Sequence, residues 1–280
     1  MATQAIAVFD SGVGGLTVLK SLLQHFPNES FVYFGDNARL PYGSKGPSTI
    51  RRFCTENLDF LCGLGVKAIV VACNTASTQI HEDSWKGVPI YTVIEPGAQA
   101  ALDCSENGSI LVLGTRATIA SGVYPEKLLQ LAANHSRWKD KKIRIQVAAC
   151  PLFVPLAEEG WTEDPITNLV AFRYLQQFQQ QSSDVDCAIL GCTHYPLLRT
   201  AIQKVLGNYV QLVESGEAVS TKLKNDLANN RLPASIDPAN SESHLEIIAS
   251  DFNQSFKDLC SQILTPQLTH TRQLKWRGLD

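Results

Sequence analysis

Long hydrophobic runs are missing from this 280-residue chain. The longest near-continuous one, around Ala68 to Cys73, has the length of a strand and falls far short of the roughly 18 to 20 apolar residues that cross a bilayer. A membrane is therefore not an expected partner. The N-terminus, MATQAIAVFD, has neither a basic opening nor a long apolar stretch, so a cytoplasmic location is expected. An excess of one charge is also missing: 24 Lys and Arg face 27 Asp and Glu, a formal charge of −3. That balance is too even for a chain that neutralises a run of phosphates, and nucleic acid is not an expected partner. Eight Cys in 280 residues lie well below the roughly 8 to 10% of a disulfide scaffold, so free thiols are expected. No C-x-x-C pair occurs, which argues against a zinc site and against a thioredoxin-like dithiol.

What is present describes a globular chain: 44% hydrophobic and 18% charged residues, with 18 Gly and 13 Pro scattered along it. The length favours two domains or one large α/β unit. Short β-branched segments at 5–10, 31–36, 67–73, 89–94, 109–115, 143–149, 186–192, 210–213 and 244–250 read as strands. Helical patterns lie at 16–26, 47–64, 78–86, 97–103, 125–134, 166–180, 197–206, 217–229 and 252–264. This alternation predicts an α/β fold with largely parallel sheets, in which ligands collect at the carboxyl ends of the strands. The polar segment 229–243 reads as a surface loop, and the basic tail from Thr265, with His270, Arg272, Lys275 and Arg277, as a solvated terminus.

Those strand ends carry reactive residues: Asp10-Ser11, Asp36, Cys73-Asn74-Thr75, Glu95, Thr115 and Cys192-Thr193-His194. AIVVACNT (68–75) and AILGCTH (188–194) share an apolar strand followed by Cys and small polar groups. An internal duplication would place one thiol in each half. The loop DSGVGG, Asp10 to Gly15, matches neither the dinucleotide nor the phosphate-loop spacing. Gly12, Gly14 and Gly15 should still let the backbone approach a ligand, at a helix start that favours an anion such as a carboxylate. The turn Pro41-Tyr42-Gly43 offers backbone amides and a phenol.

A lone buried Cys is ordinarily a small hydrophobe. That reading is kept for Cys54, Cys62, Cys104, Cys150, Cys187 and Cys260. For Cys73 and Cys192, metal ligation, redox exchange, nucleophilic catalysis and proton transfer are the alternatives. A one-thiol enzyme paired with His194 leaves the second thiol unexplained. Two thiols at opposing strand ends fit the removal of a proton from one face of a carbon and its return on the other. Asp10, Glu158 and His194 are candidate proton partners.

Taken together, DSGVGG, PYG, ACNTAS, PLFVPLAEEG and GCTHYPLL resemble, in order and spacing, the bacterial glutamate racemases of the aspartate/glutamate racemase superfamily. The resemblance runs from Val8 to about Ser215. It implies two pseudo-symmetric α/β domains with the site in the cleft between them. The second domain, at 98–206, would be inserted in a first formed by 1–97 and 207–280. It also implies catalytic thiols at Cys73 and Cys192, a supporting carboxylate at Glu158, and substrate contacts from Asp10, Ser11, Pro41, Tyr42, Gly43, Asn74, Thr75, Thr193 and His194. Thr115, Thr118 and Ser121 would approach the substrate from the second domain. The activity implied is cofactor-independent and metal-free interconversion of L- and D-glutamate, supplying D-glutamate for peptidoglycan. The partner is then a small molecule, glutamate, and a homodimer is the assembly to test. An aspartate racemase and a two-lobed amino-acid-binding module remain the alternatives.

Overall fold

The computed structural model describes residues 5–179, 184–229, 232, 243–264 and 273–279. Among these, seven strands form the larger sheet: β1 (Ile6–Asp10), β2 (Phe31–Gly35), β3 (Ala68–Val71), β4 (Ser84–Trp85), β5 (Val88–Thr92), β10 (His244–Ala249) and β11 (Gln273–Gly278). Their order is β11-β10-β2-β1-β3-β5-β4. A second sheet holds β6 (Ser109–Gly114), β7 (Arg144–Ala149), β8 (Cys187–Gly191) and β9 (Gln211–Glu214), in the order β7-β6-β8-β9. Every pairing is parallel except that of β4 with β5. The helices are α1 (Leu16–His25), α2 (Pro47–Gly63), α3 (Asn74–Ser77), α4 (Ile94–Cys104), α5 (Arg116–Ala120), α6 (Val123–Ala132), α7 (Phe153–Glu158), α8 (Pro165–Leu175), α9 (Arg199–Leu206), α10 (Ser215–Ala228) and α11 (Gln254–Ile263). None is long and apolar enough to cross a membrane.

Strand periodicity sorts the cores. On β1, Ile6 and Val8 face Leu16, Leu19, Leu22 and Leu23 of α1, with Val219 of α10 and Phe256 of α11. The alternate residues Ala7 and Phe9 face Ile50, Phe53, Leu58 and Leu61 of α2 on the other side. The smaller sheet repeats the arrangement: Leu111 and Leu113 pack toward α7, α8 and α9, and Ile110 and Val112 toward α4 and α6. A sheet covered on both faces explains why its strands read as continuous apolar runs. Because parallel strands all run the same way, their carboxyl ends collect on one edge, and the two sheets bring those edges to a common cavity.

Three expectations change. The helix expected at 78–86 is absent: the short helix α3 ends at Ser77, and a hairpin follows in which Trp85 pairs with Val88 across Lys86 (φ 48°) and Gly87 (φ 81°). Two consecutive positive φ values make the primed turn that suits a two-residue hairpin, and Lys-Gly supports it at the second position. Within the tail, residues Gln273–Gly278 form β11, parallel to β10 at the sheet edge. Trp276 lies against Phe252 and Arg277 reaches Glu246. Charged edge strands resist further pairing, and the same charges made this strand look like solvated coil. His270 and Arg272, like most of the expected 229–243 loop, lie outside the described residues. Finally, β9 belongs to the smaller sheet although it lies beyond residue 206.

The two sheets meet where Gly14 sits against the loop after β8. A Cβ at Gly14 would come within 2.4 Å of Thr193 Oγ1 and 2.5 Å of the His194 ring. Gly14→Ala should therefore destabilise the protein by about 1–3 kcal/mol. Gly46→Ala, where a Cβ would meet nothing within 4 Å, should stay within about 0.5 kcal/mol. Urea unfolding of both variants checks the contrast.

Candidate active site

A cavity of about 430 Å³ opens between the two sheet edges. Ser11, Pro41, Tyr42, Gly43, Cys73, Asn74, Thr75, Thr115, Glu158, Cys192, Thr193 and His194 all line it. Cys73 follows β3 and caps α3, accepting the Ala76 N–H at 3.4 Å and lying 3.6 Å from the Ser11 hydroxyl. Cys192 follows β8, with its Sγ 3.9 Å from His194 Nδ1. The two thiols thus come from different sheets to one cavity. A larger groove of about 670 Å³ between α4 and α10 holds none of the expected site residues, so chemistry and not volume selects the site.

Asp10 and Thr118 do not line the cavity; they lie beneath it. The Asp10 carboxylate is fully buried and accepts the Gly12 N–H at 2.9 Å and the Thr193 hydroxyl at 3.3 Å. Burial pushes its pKa up, against the opposing pull of His194, the Gly12 and Gly15 amides and Thr193. The anion held at the start of α1 is therefore the chain's own Asp10. This revises the expected role of the loop glycines, of which only Gly12 reaches the cavity. Gly14 makes room for Thr193 and His194, and Gly15 for Asp10 itself, whose Cβ lies 2.4 Å from where a Gly15 Cβ would be.

The Tyr42 phenol is turned away from the role expected for it and donates to buried Asp36. Asp36 also accepts Arg39 Nε at 2.7 Å and Asn57 Nδ2 at 3.3 Å, so this cluster anchors the turn that carries Gly43 and Ser44 into the cavity. Thr115 caps α5 by accepting the Thr118 N–H. The hydroxyls of Thr75, Thr115 and Thr118 lie 2.9–3.0 Å apart in a ring that joins α3 to α5. Ser121 donates to the Thr118 carbonyl and is not part of the cavity wall.

His194 is buried, with Nε2 3.0 Å from Glu158 Oε1 and Nδ1 toward Cys192. Burial alone would lower its pKa, but the bonds to Cys192 and Glu158 outweigh that and raise it to about 10. With a partner at each nitrogen, the protonated ring, an imidazolium, can donate to both. Cys73 is kept neutral instead: burial, and then the charge of Asp10, push its pKa well above the usual thiol value. At neutral pH Cys73 is therefore a protonated thiol, while Cys192 lies beside the His194 ring.

Some groups in this network were not legible in the sequence. Tyr124 of α6 donates to Asn74 Oδ1 at 2.7 Å, and Asn74 Nδ2 donates to Ser215 at 3.2 Å. Thr17 donates to the Thr193 carbonyl at 2.8 Å, and Tyr33 to the Gly12 carbonyl at 2.6 Å. Each partner lies far along the chain, and no local spacing reveals it. Among the described residues, no three His, Cys, Asp or Glu side chains converge as a metal site.

A sequence profile of Asp/Glu/hydantoin racemases matches residues 11–223. A glutamate racemase of Geobacter metallireducens is 38% identical over 98% of this chain and 97% of its own. The chain belongs to the glutamate racemase family. Structural comparison agrees: a Bacillus anthracis glutamate racemase superposes with a TM-score of 0.86 at 30% identity, covering 100% of this chain and 98% of the other. A Francisella tularensis member of the family, solved in complex with D-glutamate, gives 0.83 at 32% identity over the same shares.

The His194 ion pair sets a pH dependence of stability. The folded pKa, about 10, lies above the unfolded value of roughly 6.5. The stabilisation is therefore complete below about pH 6.5 and disappears as pH rises through about 10. Glu158→Gln removes one of the two partners, so the stability gap between wild type and variant should be greatest at the acid end of that window and close as pH approaches 10. Denaturant unfolding at a series of pH values measures the gap.

Proposed function

We propose that the protein interconverts L- and D-glutamate by two-base proton transfer at the α-carbon, without metal or organic cofactor. The observation that carries this is that Cys73 and Cys192, which follow β3 and β8 of the two different sheets, line one cavity. In the L-to-D direction, Cys192 acts as thiolate beside the His194 imidazolium and removes the α-proton. Cys73, held as thiol, delivers a proton to the other face, and the reverse reaction exchanges the roles. Glu158 and His194 form a pair that keeps a positive charge beside Cys192. Asp10 orients Thr193. The substrate carboxylates would be held by Ser11, the Gly43 amide and the hydroxyls of Thr75 and Thr193, with Asn74, Thr115 and Thr118 steadying the wall. The family relative bound to D-glutamate supports this substrate.

We place the reaction in the cytoplasm, where it would supply D-glutamate for peptidoglycan. The two sheets would be the cores of two lobes. A homodimer is the proposed assembly, supported by Ile166, Leu169 and Phe172, exposed at three-residue spacing on α8. Sedimentation equilibrium tests it.

Incubating purified protein with L-glutamate should drive the circular dichroism signal to zero. Cys73→Ser and Cys192→Ser keep nearly the same size but lack an acidic thiol, and each should fold yet lose about 10²–10⁴ of the rate. Near wild-type turnover in either would exclude the two-base assignment, and retained glutamate affinity without turnover in the wild type would indicate a binding module. Aspartate is one methylene shorter and leaves buried donors unpaired, so it should be a far poorer substrate. Comparable turnover of aspartate would make the protein an aspartate racemase.

A further inference from the structure

Outside the site, Cys104 and Cys187 place their sulfurs 3.0 Å apart, 83 positions apart in the chain. Cys104 is the last residue of α4 and Cys187 the first of β8. We propose that these two thiols form a reversible disulfide modification site, oxidised by a peroxide and reduced by an excess of small thiol.

Four features support it. Asp186, which precedes Cys187, accepts the Ser105 hydroxyl at 2.7 Å and the Glu106 and Asn107 N–H groups at 2.6 and 2.7 Å. The chain just after Cys104 is thereby clamped to the chain just before Cys187, and the sulfurs are held together by their neighbours. Access comes from the groove between α4 and α10, which Cys104 lines while only half-buried; Cys187 is fully buried behind it. The two thiols also differ in acidity. The bond from Cys187 draws Cys104 below its usual range, against burial and the charges of Asp186 and Asp103 and with some help from Arg137. The same bond, and then burial, drive Cys187 up. Lastly, Arg137 donates to the Asp103 and Ser105 carbonyls on either side of Cys104, which keeps its guanidinium next to the sulfur.

The chemistry balances. The Cys104 thiolate attacks one peroxide oxygen, the O–O bond breaks, and hydroxide leaves as the sulfenic acid forms. The Cys187 sulfur then displaces the sulfenic oxygen, giving up its proton as the S–S bond forms. Two thiols and hydrogen peroxide become one disulfide and two waters; the sulfurs lose two electrons and the peroxide gains them. Thiol exchange reverses the step. The link would tie α4, the helix that connects the two sheets, to the start of β8. That point is roughly 16 Å along the strand from Cys192 at 3.3 Å per residue, so the proposed catalytic sulfur is not consumed.

The test treats the whole protein with hydrogen peroxide at about one equivalent, alkylates the remaining thiols, digests without reductant and maps the peptides by mass spectrometry. The expected result is a Cys104–Cys187 linked peptide as the first oxidation product, with the pair lost to alkylation and recovered after dithiothreitol. Cys104→Ser and Cys187→Ala should each abolish it. The wild-type map decides even if a variant fails to fold. Cys104 and Cys187 both alkylated while half-buried Cys62 is oxidised, or Cys104 carried to sulfinic acid with Cys187 still free, would overturn the proposal.

Discussion

How closely the loop after β1 approaches the loop after β8 governs the rest of the site. Both loops leave the carboxyl ends of buried parallel strands, and each belongs to a different sheet. Gly14 lets Thr193 and His194 come within a distance that no side chain would allow. Around that contact, Thr17 holds the Thr193 carbonyl, Thr193 holds Asp10, and the Asn74 amide is shared between Tyr124 and Ser215. The hydroxyl ring of Thr75, Thr115 and Thr118 closes the other side. Each bond alone contributes modestly, about 0.5–1.5 kcal/mol, but they share partners and fix one separation between two sulfurs.

That separation matters because the site keeps unlike charge states on its two sides. Burial raises the cost of any charge it does not pair. Next to Cys73 stands Asp10, an anion that discourages a second one. Next to Cys192 stands His194, whose pKa Cys192 and then Glu158 raise against burial. The two sulfurs therefore face the same cavity from unlike electrostatic surroundings before any substrate arrives. The arrangement is built from neighbours of the thiols and not from the thiols themselves.

Much of the fold was legible in the sequence because buried parallel strands announce themselves as short apolar runs ending in polar residues. IAVFD, AIVV and CAILG are such runs, and each leads to a residue of the cavity or the layer beneath it. Asp10, Cys73, Thr115 and Cys192 could be picked out for that reason. The hairpin at Trp85 to Val88 was hidden because its strand has only two residues, too few for a period. β11 was hidden because the charges on this edge strand read as those of a solvated tail. The anchoring roles of Tyr124 and Ser215 depend on contacts across the chain, as does the meeting of Cys104 with Cys187. The glycines of the first loop were recognised as close-approach positions, yet what approaches Gly14 and Gly15 is the protein itself.

The central claim is that two different groups serve the two faces of the α-carbon. It is tested most directly by running the reaction from L-glutamate in deuterium oxide and analysing both enantiomers early, before reversal. A thiol exchanges its proton with solvent, so the account predicts D-glutamate carrying α-deuterium while the recovered L-glutamate remains protiated, and the mirror result from D-glutamate. Product that retains the substrate's own α-hydrogen, or deuterium entering recovered substrate as fast as product, would mean that one group serves both faces and would contradict the account.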